Sequence, residues 1–350
     1  MRQPFTTYAR RASVAVAVVA ALTLSGCAAD TGQADTGQAD TTDAGAALLP
    51  DAEGTTAYPL TLETPFGDTI LEERPDRIAI ITASTVDTDA LIALAGTPVF
   101  APSTIERNPW LDAAVVADID ELWESEAGEE VSAEAIAASD PDLIVSLAAY
   151  ETFDQSRFDK LEAIAPVLYA PAGELTWQEL TVRLGETLDL AEAADTAVSD
   201  AEAAIAATRD AHPEFEGRTA AHVIVYPEDW GAYYASHTGS DTAALFDELG
   251  FTLPPAAAEF TEDDVVAGEL VGMIDADFLL LSTFGSDSTY FLESELVANV
   301  PAVAEGRVVI DDADPETGIN SFAWGLNVQS ALSLPWLIDR LADFGAEALG

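Results

Sequence analysis

Short apolar runs rich in β-branched residues recur along the chain, separated by segments with helical spacing. Residues 58–62 alternate polar and apolar, Phe66-Gly67-Asp68 interrupts, and a second extended run follows, a pattern that predicts an entry β-hairpin. Apolar runs then come at 77–81, 98–101, 142–146 and 167–170, with helix-like stretches at 88–95 and 133–139 between them. After Gly217 a second series begins, with runs at 222–226, 278–282 and 307–311 and a helical segment at 241–249. Strand alternating with helix predicts parallel sheet joined by crossovers.

Between the two series lies 190–212, rich in Ala, Glu and Asp, free of Gly and Pro, and stopped by Pro213. The composition favours a single helix. About 23 residues at ~1.5 Å each give roughly 34 Å, the width of a small lobe. The predicted fold is α/β: two Rossmann-like lobes, at 55–189 and 214–350, bridged by one long α-helix over 190–213.

The first residues fix the compartment. Arg2, Arg10 and Arg11 precede a small or apolar run at 12–24, too short for a permanent span and suited to a signal-peptide core. It ends in Leu24-Ser25-Gly26-Cys27, which resembles the bacterial lipobox, so 1–26 reads as a lipoprotein signal peptide and Cys27 as the acylated residue. The resemblance implies a palmitate-type lipid anchor on the extracytoplasmic face of the cell membrane. The Arg10-Arg11 pair leaves twin-arginine export open beside the general secretory route. Cys27 is the only cysteine, so no intramolecular disulfide is available. Residues 27–54, with Thr-Gly-Gln-Ala-Asp repeated at 31–35 and 36–40, read as a flexible tether.

Charge narrows the partners. With 13 Lys+Arg against 63 Asp+Glu the formal net charge is -50, which excludes nucleic acid as a partner, because phosphate binding rests on Lys and Arg. Such acidity is also what a salty habitat would screen.

Several strings, taken in order, resemble the siderophore/vitamin B12 class of ABC-importer periplasmic binding proteins. They are Pro75-Asp76-Arg77-Ile78, the run 91–99, Ser132-Ala133-Glu134-Ala135-Ile136 before Pro141-Asp142-Leu143-Ile144-Val145, and 300–309. The halves also echo each other. Glu134 precedes Asp142 by eight residues and a strand follows; Glu269 precedes Asp277 by the same interval with the same sequel. The resemblance implies a class III periplasmic-binding-protein fold in a monomer. It also implies an ABC permease dimer with ATPase subunits as partner, docked through Glu134 and Glu269. Read from the residues alone, Glu134 also suits a helix start, two residues after the N-cap type Ser132.

Ligands of parallel α/β lobes bind beyond the C-terminal strand ends. The loops there carry the candidate ligand-binding residues Arg107, Trp110, Tyr150, Trp230, Tyr233, Tyr234, Phe284 and Trp324. Clustered aromatics suit a large, partly apolar ligand, and the resemblance makes it a ferric siderophore rather than a resident cofactor. Few arginines occupy these loops, which favours a near-neutral hydroxamate or mixed-donor complex over a triply anionic catecholate. Arg157 and Arg183 read as solvated partners of nearby acids. Haem, with Tyr233, Tyr234 or His237 as axial ligand, and cobalamin remain alternatives. His212, His222 and His237 are too dispersed for a bare transition-metal site. No Gly-x-Ser-x-Gly, His-Glu-x-x-His or Gly-rich phosphate loop occurs, so an enzyme, with a hydrolase the remote alternative, is not expected.

Overall fold

Residues 47–124, 131–149, 153–285 and 288–350 are described by the computed structural model, and within them the predicted strands form two separate larger sheets. Cys27 and Tyr150 lie outside the described residues. The entry hairpin is β1 (Leu60–Leu62) against β2 (Thr69–Leu71), antiparallel as predicted. The first sheet contains β3 (Ile78–Ile80), β4 (Phe100–Pro102), β5 (Glu121–Trp123), β6 (Leu143–Ala149) and β7 (Val167–Pro171), all parallel in the order β5-β4-β3-β6-β7. The second contains β8 (Ala220–Val225), β9 (Ala232–Tyr234), β10 (Phe278–Thr283) and β11 (Val308–Asp311), in the order β11-β10-β8-β9. β3, β4, β8 and β10 are buried along their whole length, which is why they read as continuous apolar runs rather than alternating ones.

Three strands of each sheet are built to one register. Ile78 pairs with Leu143 and Ile144 with Val167 in the first; Ala220 pairs with Phe278 and Leu279 with Val308 in the second. An aspartate locks each start. Asp142 Oδ2 accepts from the Arg77 N–H at 3.0 Å, and Asp277 Oδ2 accepts from the Thr219 N–H at 3.0 Å. The repeated carboxylate therefore satisfies the backbone donor just ahead of the neighbouring strand.

Equivalence ends on the other side of β3 and β8. In the first half the helix Val86–Ala93 follows β3, and β4 then adds parallel. In the second half the chain turns directly after β8, and β9 adds antiparallel. The helices carrying the two glutamates differ as well. Glu134 lies in the first turn of the α-helix Ala133–Ala138, capped by Ser132 Oγ, whereas Glu269 opens a 3-10 helix, Gly268–Ile274. Gly268, at φ +55°, and Gly272 weaken the α form there, and no side chain caps it.

The helix Ala191–Ala211 is continuous, with Leu190 and His212 as its caps, and would span about 32 Å. Leu190 and Ala194 pack into the core of the first half; Ala201 and Ile205 pack into that of the second. One rod is thus embedded in both cores. The amphipathic helix Ser333–Leu349, not anticipated from sequence, lies against it and buries Leu334, Leu337, Ile338 and Leu341 in the second core.

The tether ends earlier than the sequence suggested. Leu49 is buried in the first core, and Pro50 O accepts from Arg74 Nη2 at 2.9 Å. The Glu53 carboxylate accepts from the N–H groups of Glu192 and Ala193 at 2.7 and 2.9 Å, capping the long helix from 139 residues away. Asp189 accepts from the N–H groups of Gly54, Thr55 and Thr56, and these bonds, Thr56 foremost, hold its carboxyl below the ordinary aspartate range. Residues 47–56 are therefore a strap fixed to the start of the long helix: the Glu53 carboxylate supplies the acceptor that helix end lacks, and the amides of 54–56 hold Asp189 just ahead of it.

Candidate ligand cleft

The loops leaving the C-terminal ends of β4 and β11 meet. Ser321 Oγ donates to Arg107 O at 2.9 Å, joining the 3-10 turn Ser103–Arg107 of the first half to the helix Ser321–Asn327 of the second. Deeper in the joint, the buried Asp89 carboxylate accepts from Trp110 Nε1 at 3.0 Å and from Ser330 Oγ, across the halves, at 2.9 Å. Burial outweighs these donors and pushes the Asp89 carboxyl up to about 7.

The side of this joint formed by the second half carries a continuous group of aromatic rings. Tyr226, the residue after β8, stacks on Phe284 at 5.2 Å, meets Tyr233 edge-on at 5.8 Å and approaches Trp230 at 6.0 Å. Trp230 is 69 % exposed at the tip of the turn between β8 and β9. Gly231 makes that turn, with φ +90° and Val265 where a Cβ would stand. In the sequence Tyr226 marks only the end of the 222–226 run; an aromatic there followed by Pro227 is the signal that places it beyond the strand. Burial is the main cause that raises the Tyr226 phenol.

Of the candidates named from sequence, Trp230, Tyr233 and Phe284 come together. Trp324 is 41 % exposed on the helix that Ser321 opens, so it sits on a helix rather than the expected loop. Arg107 is exposed, and its guanidinium makes no ion pair or hydrogen bond among the described residues. Two candidates are corrected. Tyr234 is 1 % exposed and stacks at 4.6 Å on Phe260 inside the core. It belongs to β9, where neighbouring side chains face opposite sides, so Tyr233 and Tyr234 cannot share a wall. A haem ligand at Tyr234 is ruled out by the same burial. Trp110 is committed to the joint: its N–H is taken by Asp89, and its ring packs on Trp336 at 5.6 Å.

Other titratable groups are structural. Arg157 is buried at 8 %, its guanidinium 4.5 Å over the Phe153 ring, rather than solvated. Burial pushes the imidazole of His222 down to about 3, leaving it neutral, with Nε2 3.0 Å from Ser282 Oγ. His212 stacks on Phe215 at the end of the long helix. His237 is half-buried at the edge of the β9 turn.

A family model described as periplasmic binding protein matches residues 78–315, from the first strand of the first sheet to just past the last strand of the second. The chain belongs to this family. Its members are binding proteins by description, and similar chains carry binding-protein names. The probable siderophore-binding lipoprotein YfiY of Bacillus subtilis is 25 % identical over 257 residues, covering 68 % of this chain and 75 % of that one. The ferric enterobactin-binding periplasmic protein FepB of Escherichia coli is 25 % identical over 274 residues, covering 72 % and 83 %. Among solved structures, PiaA of Streptococcus pneumoniae in complex with ferrichrome superposes with a TM-score of 0.64 at 20 % identity, covering 83 % of this chain and 98 % of that chain. A periplasmic solute binding protein from Mycobacterium smegmatis gives 0.67 at 22 % identity, covering 83 % and 99 %. These structures share its fold, the class III arrangement expected from the sequence.

Proposed function

We propose that this periplasmic binding protein receives a ferric siderophore between its two halves and delivers it to an ABC importer at the extracytoplasmic face of the membrane. The aromatic group of Tyr226, Trp230, Tyr233 and Phe284 carries the reading, since it gathers just past the C-terminal ends of β8 and β10, where parallel α/β lobes bind ligands. The names of the relatives, siderophore-binding and ferric enterobactin-binding, support the ligand class. Lipid on Cys27 would hold the chain at the membrane, with the residues before 47 as tether. A helix embedded in both cores resists bending, so ligand closes the cleft only modestly. Glu134 and Glu269, both exposed in the first turn of a helix preceding an equivalent strand, would then dock on the two permease subunits.

A thermal-shift panel of ferrichrome, ferric citrate, ferric enterobactin, haem and cobalamin tests the ligand class. A true ligand at 100-fold excess over its dissociation constant adds about 2.7 kcal/mol of stability. Shifts with haem or cobalamin alone would overturn the siderophore reading. For docking, Glu134→Arg combined with Glu269→Arg should abolish uptake while ligand affinity in solution persists; wild-type uptake would refute the two-glutamate role.

A further inference from the structure

Two ties join the halves, and they differ in kind. The helix Ala191–Ala211 enters both cores and fixes how far apart they sit. A single rod still leaves two bodies free to twist about its axis, and a second tie away from that axis removes the freedom. Asp89 supplies one. Its helix, Val86–Ala93, packs on Trp177–Thr187, and that helix in turn packs on the rod, so the second tie is set off from the first.

The Asp89 carboxylate is fully buried and gathers donors from both halves. Its Oδ2 accepts from Trp110 Nε1 at 3.0 Å and from Ser330 Oγ at 2.9 Å, while Oδ1 faces Asn108 Nδ2 at 3.4 Å. Asn108 and Trp110 follow the 3-10 turn Ser103–Arg107, beyond the C-terminal end of β4; Ser330 lies in the other half, 241 residues along. The Ser330 hydroxyl is aimed in advance. Ser330 and Ser333 each accept, on the hydroxyl, from the other's N–H, at 3.0 and 2.9 Å, where the helix Ser333–Leu349 begins. A hydroxyl that accepts there has its one proton left for Asp89. Packing adds to the bond. A Cβ at Gly325 would stand 3.3 Å from the Trp110 ring, so the bare glycine lets that ring settle on the helix Ser321–Asn327, beside the bond from Ser321 Oγ to Arg107 O. The segment 107–110, first-half sequence, is thus held to the second half by a backbone carbonyl, a ring and a shared carboxylate.

We propose that Asp89 and Ser330 are positioning residues that pin the two halves in the orientation that receives ligand before ligand arrives. At 0 % and 1 % exposure neither side chain reaches the ligand itself. The proposal rests on the reading of the cleft given above and adds what presets it. Without the pin, a smaller fraction of the ligand-free chain has the receptive orientation, and apparent affinity falls by that fraction. The loss enters through association, because the contacts that hold bound ligand are untouched.

The test is stopped-flow tryptophan fluorescence on the full chain with ferrichrome, or with ferric enterobactin should ferrichrome not bind, beside amide exchange without ligand. Ser330→Ala should slow association about tenfold, the worth of one hydrogen bond, and leave dissociation within about twofold. It should also speed exchange at 105–111 in the ligand-free chain. Ser330→Thr, which keeps the hydroxyl, should restore both. Faster dissociation with association unchanged would overturn the proposal, since Ser330 would then act only in the bound state. Wild-type rates and exchange in Ser330→Ala, with the melting temperature preserved, would overturn it as well. Should Ser330→Ala fail to fold, Gly325→Ala, which displaces the Trp110 ring, decides by the same two rates. If neither complex binds the wild type, the siderophore reading falls, and the pin is judged by exchange alone: no rise at 105–111 overturns it.

Discussion

The two halves share a frame and part company where chemistry begins. Both place an aspartate, Asp142 or Asp277, against the backbone ahead of a central strand, and both set three strands in one register. On the remaining flank the first half inserts a helix whose Asp89 is buried in the joint, and the second inserts a tight hairpin that lifts Trp230 into solvent. The shared frame sets the central strands alike in both halves; the divergent flank gives each half different side chains at its strand C-termini. A repeated fold can thus keep one frame while its flanks diverge.

The sharpest way to break this comparison uses two tyrosines of the hairpin region. Tyr234→Ala should destabilise the chain by about 3–5 kcal/mol, as loss of a buried aromatic does, while Tyr226→Ala should act mainly on ligand affinity, roughly tenfold. Denaturant melts and fluorescence titrations of both variants check this; equal destabilisation would erase the division between core and wall.

The pH dependence separates the halves next. Between the ordinary carboxyl value and about 7 the folded chain keeps a proton on Asp89 that the unfolded chain releases, so this group makes stability fall as pH rises. His222 is opposite in sign. Between about 3 and the ordinary imidazole value the unfolded chain binds a proton that buried His222 refuses, so stability falls as pH drops. Asp89→Asn should therefore remove a downward slope of up to about 1.4 kcal/mol per pH unit, and His222→Asn an upward one. Melts from pH 4 to 7 giving the same sign for both variants would contradict these placements.

Smaller effects test the frame itself. Asp142→Ala and Asp277→Ala should each cost about 0.5–1.5 kcal/mol, Asp277→Ala the more because its bonds are part-buried, since each strips an acceptor from an equivalent backbone donor. No loss in either variant would weaken the structural equivalence. Least of all, Glu53→Gln should cost about 0.5–1 kcal/mol through a weakened cap on the long helix, read from chemical melts.

Much of this was legible in the sequence, for identifiable reasons. The helix Ala191–Ala211 lacks breakers, and the spacing from Glu134 to Asp142 and from Glu269 to Asp277 repeats because each stretch runs from a short helical segment, α in the first and 3-10 in the second, to an aspartate that starts an equivalent strand. What escaped depended on contacts far along the chain. Residues 47–54 look like tether until Glu53 reaches a helix end 139 residues away. Tyr233 and Tyr234 look like one aromatic patch until β9 sends them to opposite faces. Asp89 looks like a solvated helix acid until Ser330 and Trp110 close over it.

The decisive measurement is amide hydrogen exchange on the full chain with and without a saturating ferric hydroxamate. Ligand held between the halves should slow exchange together in 103–111 and in 226–234, with the interior of the long helix unaffected. Protection confined to one half, or none at either segment despite saturation, would contradict a shared cleft.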